Sequence, residues 1–282
     1  MSLSILNNIS SLAAQNQLSV NGSSLQKTLM ELSSGSRINS GADDAAGLAI
    51  ADGLQANVTA LTQSARNATD GLGMLQVADG SLAQVTTLLN RAVTLATEAS
   101  NGTVSDSQRT ALDAEFTAIK DEIDRIGSNT TYNGNQVFSG TTSSVYLTDG
   151  TSTGSSSIDI TVGTLAQDGI GFSTGLTAVD LSGDDLTSDT NAQAALTDIS
   201  NAIANVAADR GTLGASMNRL QSASNVISNQ VQNLSAAENS IRSADMGQTV
   251  SDLSKYSILQ QTGIAALQQS NQMQQAVLKL LQ

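Results

Sequence analysis

Read from Leu54 in alternating steps of four and three, the chain gives Leu54, Val58, Leu61, Ala65, Ala68, Leu72, Leu75, Asp79, Leu82, Thr86, Leu89, Val93 and Ala96. Eleven of these thirteen positions are apolar. A hydrophobic repeat averaging 3.5 residues makes a seam that supercoils left-handed against a partner helix. Asp79-Gly80 is a local flaw in it. A helix over about 42–100 would be roughly 90 Å long. Asn101-Gly102 supplies its C-cap signal. The chain has no proline, whereas average usage would give about fourteen. That absence suits long unbroken helices, because an interior proline removes a hydrogen bond and kinks the axis.

A shorter seam follows at Leu112, Phe116, Ile119, Ile123 and Ile126, with Ser105 as the expected cap and Gly127 as the expected end. A third runs Leu196, Ile199, Ile203, Val206, Arg210, Leu213, Met217, Leu220, Ser224, Ile227, Val231, Leu234, Glu238, Ile241. Neither long amphipathic helix is stable alone in water, so the seams close on one another as a bundle. Between them, residues 128–190 are rich in Gly, Ser, Thr and Asp. "SSVYLT" and "SIDITVG" alternate as a hairpin across "DGTSTGSS". From Arg125 to Arg210 there is no other Lys or Arg and no Glu, but nine Asp. No D-x-D-x-D-G loop occurs, so these read as a solvated face rather than a calcium site.

Chemistry is narrowly bounded. There is no Cys and no His, which removes disulfides, thiolate chemistry, the usual general base and the commonest metal ligand. The formal net charge is −13, which argues against nucleic acid or an anionic membrane as partner. No apolar run is long enough to span a bilayer. "MSLSILNNISSLAAQ" lacks the basic and apolar regions of a secretory signal, so the protein is cytosolic or exported without a cleaved signal.

The two ends share an unusual composition. Residues 1–40 carry only Lys27, Glu31 and Arg37 as charges, and residues 243–282 only Asp245, Asp252, Lys255 and Lys279. Both are Gln/Asn/Ser-rich with apolar stripes: Leu18, Leu25, Leu29 and Leu32 at one end, Ile264, Leu267, Val277 and Leu280 at the other. Polar but uncharged helices suit burial among many copies, where isolated charge is costly. The ends are therefore expected to pair and to complete their burial in an assembly.

The cluster "LSSGSRINSGADDAAGLAIADGL" (32–54) looks like a site but reads as a linker and a helix start. Adjacent carboxylates on a helix diverge, and no phosphate-loop pattern is present. Gly35 and Gly41 flank the linker. Ser40 is the expected cap, in an S-x-x-D box. Asp43 and Asp44 are expected in the first turn, favourable to the helix dipole. Arg37 is expected to pair with a carboxylate of this chain or of a neighbouring copy.

Several long segments resemble the bacterial flagellin family: "LMELSSGSRINSGADDAAGLAIADGL", "NATDGLGMLQVADG", "EIDRIGSNTTYNGNQVF", "NRLQSASNVISN" and "ILQQTGIAALQQSNQ" with "VLKLL". The resemblance covers roughly 3–140 and 190–281 in the family's order. Hook–filament junction proteins share a weaker form of the same ends and are the alternative. The resemblance implies a mainly α fold of long coiled-coil helices. Residues 1–40 and 241–282 would form an inner terminal-helix pair. Residues 41–240 would form a rod-like middle domain with a small β-hairpin region, its segment 128–190 facing outward. It implies a non-enzymatic, cofactor-free and metal-free subunit that self-assembles into the flagellar filament for motility. The implied partners are other copies of itself, an export chaperone on the C-terminal helix, and the filament cap and junction proteins. The implied location is extracellular, reached through the flagellar type III apparatus. Arg91, Leu95 and Glu115 match the family's contact pattern for the innate receptor TLR5, on a surface also used between subunits. Two departures stand out. Met273-Gln274 replaces a Val-Pro frequent in the family, so the last helix should run unbroken. Large outer domains are absent.

Overall fold

The computed structural model describes residues 8–150, 157–170 and 177–280, with side chains described as far as residue 276. Five helices dominate: α1 (Ile9–Ser34), α2 (Ala45–Ala99), α3 (Asp106–Asn129), α4 (Asp189–Arg242) and α5 (Met246–Leu280). The last passes through Met273-Gln274 without a break. Among the described residues there are also three antiparallel two-stranded sheets: β1 (Thr131–Tyr132) with β2 (Asn135–Gln136), β3 (Thr142–Tyr146) with β4 (Ser157–Thr161), and β5 (Leu165–Ala166) with β6 (Gly169–Ile170). The expected hairpin is β3–β4, with Ser144 opposite Asp159. Most of its expected turn, 151–156, lies outside the described residues. The other two hairpins were not expected from the sequence, although Asn133-Gly134, both at positive φ, is a two-residue hairpin turn of the kind that favours Asn-Gly.

The chain divides into two compact units. One comprises 1–56 with 233–282, the other 57–232. The boundaries thus fall sixteen residues after the expected 40/41 and eight residues before the expected 240/241.

The larger unit has an apolar core in which α2, α3, α4 and the small sheets take part. On α2 the buried residues of this unit are Leu61, Ser64, Ala68, Gly71, Leu75, Ala78, Leu82, Val85, Leu89, Ala92, Ala96 and Ala99, with Leu95 buried beside them out of that spacing. The spacing is the expected alternation of three and four, but only every second expected position is fully buried. Ala65, Leu72, Asp79, Thr86 and Val93 are half-buried flanks, and the seam runs one residue earlier. The reason is size. Ser64, Gly71, Ala78 and Ala92 are small, so they admit close neighbours where a larger side chain would hold them off. Val145 and Leu220 fill the space over Gly71. On α4 the same shift recurs: Ala195, Ala202 and Asp209 are buried, whereas Leu196, Ile203 and Arg210 are half-buried. Two of the three charged exceptions in the expected seams, Asp79 and Arg210, meet each other; the third, Glu238, lies 3.7 Å from Arg242 Nη1. Arg210 Nε lies 2.7 Å from Asp79 Oδ1.

Helix ends also differ from expectation. Ser105 caps α3, in a complete capping box with Gln108. Gly127 does not end α3 but lies inside it, where a Cβ would sit 1.7 Å from the carbonyl oxygen of Leu165. At the end of α2, Gly102 keeps ordinary φ. The orphan carbonyls are met instead by buried Arg109, whose Nε donates to Ala99 O (2.9 Å) and Nη2 to Asn101 O (3.1 Å).

Candidate assembly interface

In the smaller unit α1 packs against α5, antiparallel, since Asn8 reaches Ser270 and Gln274 while Gly35 meets Ala244. The facing positions of α1 follow a three-four alternation: Ser11, Ala14, Leu18, Asn21, Leu25, Thr28, Leu32. On α5 they are Thr249, Leu253, Tyr256, Gln260, Gly263, Leu267, Ser270 and Gln274. The fully buried members of this pair are polar: Asn21, Thr28, Thr249 and Ser270. Hydrogen bonds cross the pair, from Asn8 Nδ2 to Gln274 Oε1 (3.0 Å) and from Ser11 Oγ to Asn271 Oδ1 (2.7 Å). Leu18 lies over Gly263, where a Cβ would come within 3.2 Å of its Cδ1.

Large apolar side chains point outward instead. Ile9, Leu12, Val20, Leu29 and Met30 on α1 are exposed, as are Met246, Val250, Ile258, Leu259, Ile264 and Met273 on α5. Leu12 is 59% and Ile258 62% exposed. An ordinary soluble helix pair has the opposite arrangement, apolar within and polar without. The expected stripes therefore split. Leu18, Leu25, Leu32 and Leu267 are half-buried between α1 and α5, while Leu29 and Ile264 face out. Val277 and Leu280 lie outside the described side chains. The buried polar positions were missed because the sequence was read for apolar recurrence only. The same 3.5-residue alternation, allowing Asn, Thr and Ser, finds them.

The linkers after α1 and α4 are joined. Arg37 N donates to Arg242 O (2.7 Å) and Ala244 N to Gly35 O (3.0 Å), which makes Ser36 and Ser243 an antiparallel bridge. Gly35 closes α1 at φ 68°, the left-handed cap that glycine adopts without strain. Gly41 has no such role, because its φ is not positive and an added Cβ would meet only Leu48, at 3.9 Å. Arg37 takes no carboxylate partner among the described residues. Its Nη2 donates to Ile241 O (2.8 Å), one of the carbonyls left free at the end of α4.

Asp43 organises the loop before α2. Its Oδ2 accepts from Asn39 N, Ser40 N and Ser40 Oγ, and its Oδ1 lies 2.7 Å from Lys27 Nζ. The bond from Lys27 and then that from Ser40 hold its carboxyl down at about 2, with the two backbone donors adding to the effect. Because Asp43 is so engaged, α2 starts later than expected. Ser40 donates to Asp43 rather than capping. Asp44 is the cap, its Oδ1 accepting from Gly47 N (2.8 Å).

In the larger unit Arg91 and Glu115 form an exposed two-pronged pair, 2.7 and 3.0 Å, between α2 and α3. The Arg91 bond lowers the Glu115 carboxyl below its ordinary value. Leu95 is 1% exposed, buried beside the seam, so it belongs to the core and not to a contact surface. Among the described residues no group of three acidic, His or Cys side chains is placed to hold a metal. No helix there is long and apolar enough to cross a membrane.

Residues 5–143 match the family model of the bacterial flagellin N-terminal helical region, and residues 196–281 that of the C-terminal helical region. The chain is 36% identical over 278 residues to a flagellin of Halalkalibacterium halodurans, covering 98% of this chain and 99% of that one. To a flagellin of Bacillus subtilis it is 34% identical over 301 residues, again covering 98% and 99%. A solved structure of a putative flagellar hook-associated protein from Vibrio parahaemolyticus superposes with a TM-score of 0.57 at 16% identity, over 71% of this chain and 100% of that one. That likeness concerns the fold alone.

Proposed function

The chain belongs to the bacterial flagellin family, and we propose that it is a structural subunit whose copies assemble into a flagellar filament. One observation carries this reading. The terminal pair buries Asn21, Thr28, Thr249 and Ser270 while exposing Leu12, Val20, Ile258 and Ile264. Contiguous exposed apolar surface on a soluble chain marks an interaction site, and apolar residues on both helices suit contacts with more than one neighbouring copy. Contacts that repeat head-to-tail without closing a ring build a filament. The hook–filament junction alternative is not favoured, because relatives at 34–36% identity that match over 98% of this chain and 99% of their own length are flagellins.

Finer roles follow as part of the proposal. The subunit is not an enzyme. Before export, a chaperone covers the apolar face of α5 as a helix lies in a groove. Export proceeds through the flagellar type III apparatus without signal cleavage, and the filament meets cap and junction proteins at its ends. Arg91 and Glu115 are the accessible residues of the TLR5 and subunit-contact pattern. The test is polymerisation of the full chain carrying Leu12→Ser, Val20→Ser and Ile258→Ser together. We expect unchanged helicity by circular dichroism but no filaments by electron microscopy or sedimentation. Normal filaments from this variant would remove the argument. Closed oligomers from the unsubstituted chain would favour the junction reading.

A further inference from the structure

The sequence holds three Asn-Gly pairs: Asn21-Gly22, Asn101-Gly102 and Asn133-Gly134. In such a pair the glycine nitrogen can attack the neighbouring carboxamide, with no side chain on the glycine to obstruct it. The structure treats the three differently. Asn21 is buried within α1, and the Gly22 N–H is held in the helical ladder. Asn133 and Gly134 are fixed at φ 50° and 79° in the turn between the paired strands β1 and β2. Asn101 and Gly102 lie in the exposed turn after α2.

That third pair is set up for reaction. Asn101 Oδ1 accepts from Thr103 N at 3.2 Å. The ring closed by this bond contains both Asn101 Cγ and Gly102 N, so it keeps the carboxamide folded toward the attacking atom. Asn101 O accepts from Val104 N (3.1 Å) and from Arg109 Nη2 (3.1 Å). Arg109 is 8% exposed and is anchored by Ala99 O and Asp106. The carbonyl it bonds belongs to the peptide group whose nitrogen is Gly102. A guanidinium on that oxygen withdraws electron density and makes the Gly102 N–H more acidic. Among the described residues no cation bonds the carbonyl of Asn21 or Asn133.

We propose that Asn101-Gly102 is a self-modification site, at which Arg109 promotes conversion of Asn101 to isoaspartate. Gly102 N gives its proton to solvent base and attacks Asn101 Cγ. The N–Cγ bond forms, the Cγ–Nδ2 bond breaks, and the carboxamide nitrogen leaves as ammonia after taking a proton. Water then opens the five-membered imide. Attack at the former main-chain carbonyl carbon of Asn101 breaks its bond to Gly102 N and leaves isoaspartate. Attack at Cγ leaves aspartate. No oxidant or reductant enters. Arg109 sits on the main-chain carbonyl oxygen, so it stabilises the oxyanion of the first route. The α-carboxylate produced stays paired with the same guanidinium. The product adds one negative charge to a chain of net charge −13.

The test incubates the full folded chain at mildly alkaline pH and reads each Asn-Gly peptide by mass spectrometry, with fragmentation that separates isoaspartate from aspartate. The same chain in urea gives the intrinsic rates and product ratio. In the folded chain Asn101 should convert roughly tenfold faster than Asn133, with a larger isoaspartate fraction than in urea. Arg109→Lys should lower both quantities, Asn133 serving as internal reference and a melting curve reporting its fold. Conversion at Asn101 no faster than at Asn133, or an isoaspartate fraction unchanged by unfolding, would overturn the proposal without any variant. An unchanged Asn101 rate in folded Arg109→Lys would overturn the role of Arg109.

Discussion

Replacing Gly127 by alanine should destabilise the larger unit more than any other single added methyl in α3. Gly127 lies inside the helix with the backbone of β5 against it. An added Cβ would fall 1.7 Å from Leu165 O and 2.7 Å from its carbonyl carbon. An ordinary close C···O contact is about 3.3 Å, so strand and helix must part by roughly 1.6 Å. The obstacle is main chain, which cannot rotate away. It is also tied in place. Leu165 pairs with Ile170, Ile170 bridges to Val179, Gln167 N donates to Asp124, and Leu181 N donates to Gln167 O. Overpacking costs about 1–3 kcal/mol where side chains can yield, and with main chain against main chain we expect about 3 kcal/mol or more. That corresponds to a fall in Tm of roughly 6–12 °C for a unit of this size. Gly80→Ala is the control. Gly80 is also inside a helix, but an added Cβ there meets nothing within 4 Å, so the change should stabilise by about 0.5–1 kcal/mol. Thermal and urea melts of the monomer, followed by circular dichroism, measure both. A Gly127→Ala protein within about 1 kcal/mol of the original would refute the steric reasoning.

Three further outcomes are expected. Asp79 and Arg210 are each more than a third exposed or nearly so, so a double-mutant cycle with Asp79→Asn and Arg210→Gln should return a coupling of about 0.2–1 kcal/mol, falling with added salt. Asp43 has a folded-state pKa lowered to about 2, so its contribution is present above the ordinary carboxylate range and is lost as pH falls from about 4 toward 2. Lys27→Met removes the largest cause and should raise the Asp43 pKa in an NMR titration. Asp184 titrates the other way. Burial first, and then the charge of Asp198, raise its carboxyl, and its Oδ2 is buried without a hydrogen-bond partner. Its charged form therefore opposes folding, and stability is lost as pH rises through the folded pKa. Asp184→Asn should gain stability at neutral pH relative to the original chain, with the gain disappearing below the carboxylate range.

Periodicity carried most of the fold, because a 3.5-residue repeat can be satisfied only by helices packed side by side. What it could not carry was rotation. Counting large apolar residues chose Leu72 and Val93 over Gly71 and Ala92, since a small residue adds little hydrophobic weight yet admits the closest neighbour. The same blindness made Asp79 and Arg210 look like defects in two separate seams, when they are one ion pair on matched flanks. The linker was legible as a linker, but its chemistry was not. Ser40 and Asp43 fit a capping box, and only the distance to Lys27, sixteen positions earlier in the chain, shows why Asp43 is held in the loop and Asp44 caps in its place. Within one chain Arg37 finds a helix-end carbonyl, Ile241 O, rather than a carboxylate, and periodicity could not have named that partner. Leu95 looked available because it falls outside the repeat that marks the seam, yet it is buried beside Ala96.

The terminal pair sets the direction of the functional argument. Its composition, polar but nearly uncharged, is compatible with either of two arrangements. With leucine and isoleucine turned inward, α1 and α5 would form an independent hairpin with no reason to associate further. With Asn, Thr and Ser inward, intrachain packing releases little apolar surface from water, and most of the hydrophobic gain is left for contacts between copies. The structure leans to the second arrangement: its fully buried positions are Asn21, Thr28, Thr249 and Ser270, with Leu18, Leu25, Leu32 and Leu267 only half-buried between them. The linker bridge between Ser36 and Ser243 then matters, because it holds the starts of the two arms together by main-chain bonds that do not depend on side-chain hydrophobicity. A chain built this way keeps its arms paired while reserving their apolar faces for its neighbours. Exchanging the two sets, Asn21→Leu and Thr28→Leu with Leu12→Asn and Leu29→Thr, leaves composition unchanged. It should yield a more stable monomer by thermal melt and a poorer polymer by sedimentation. A variant that gained both monomer stability and polymer yield would show that the inward polar seam is not what directs assembly.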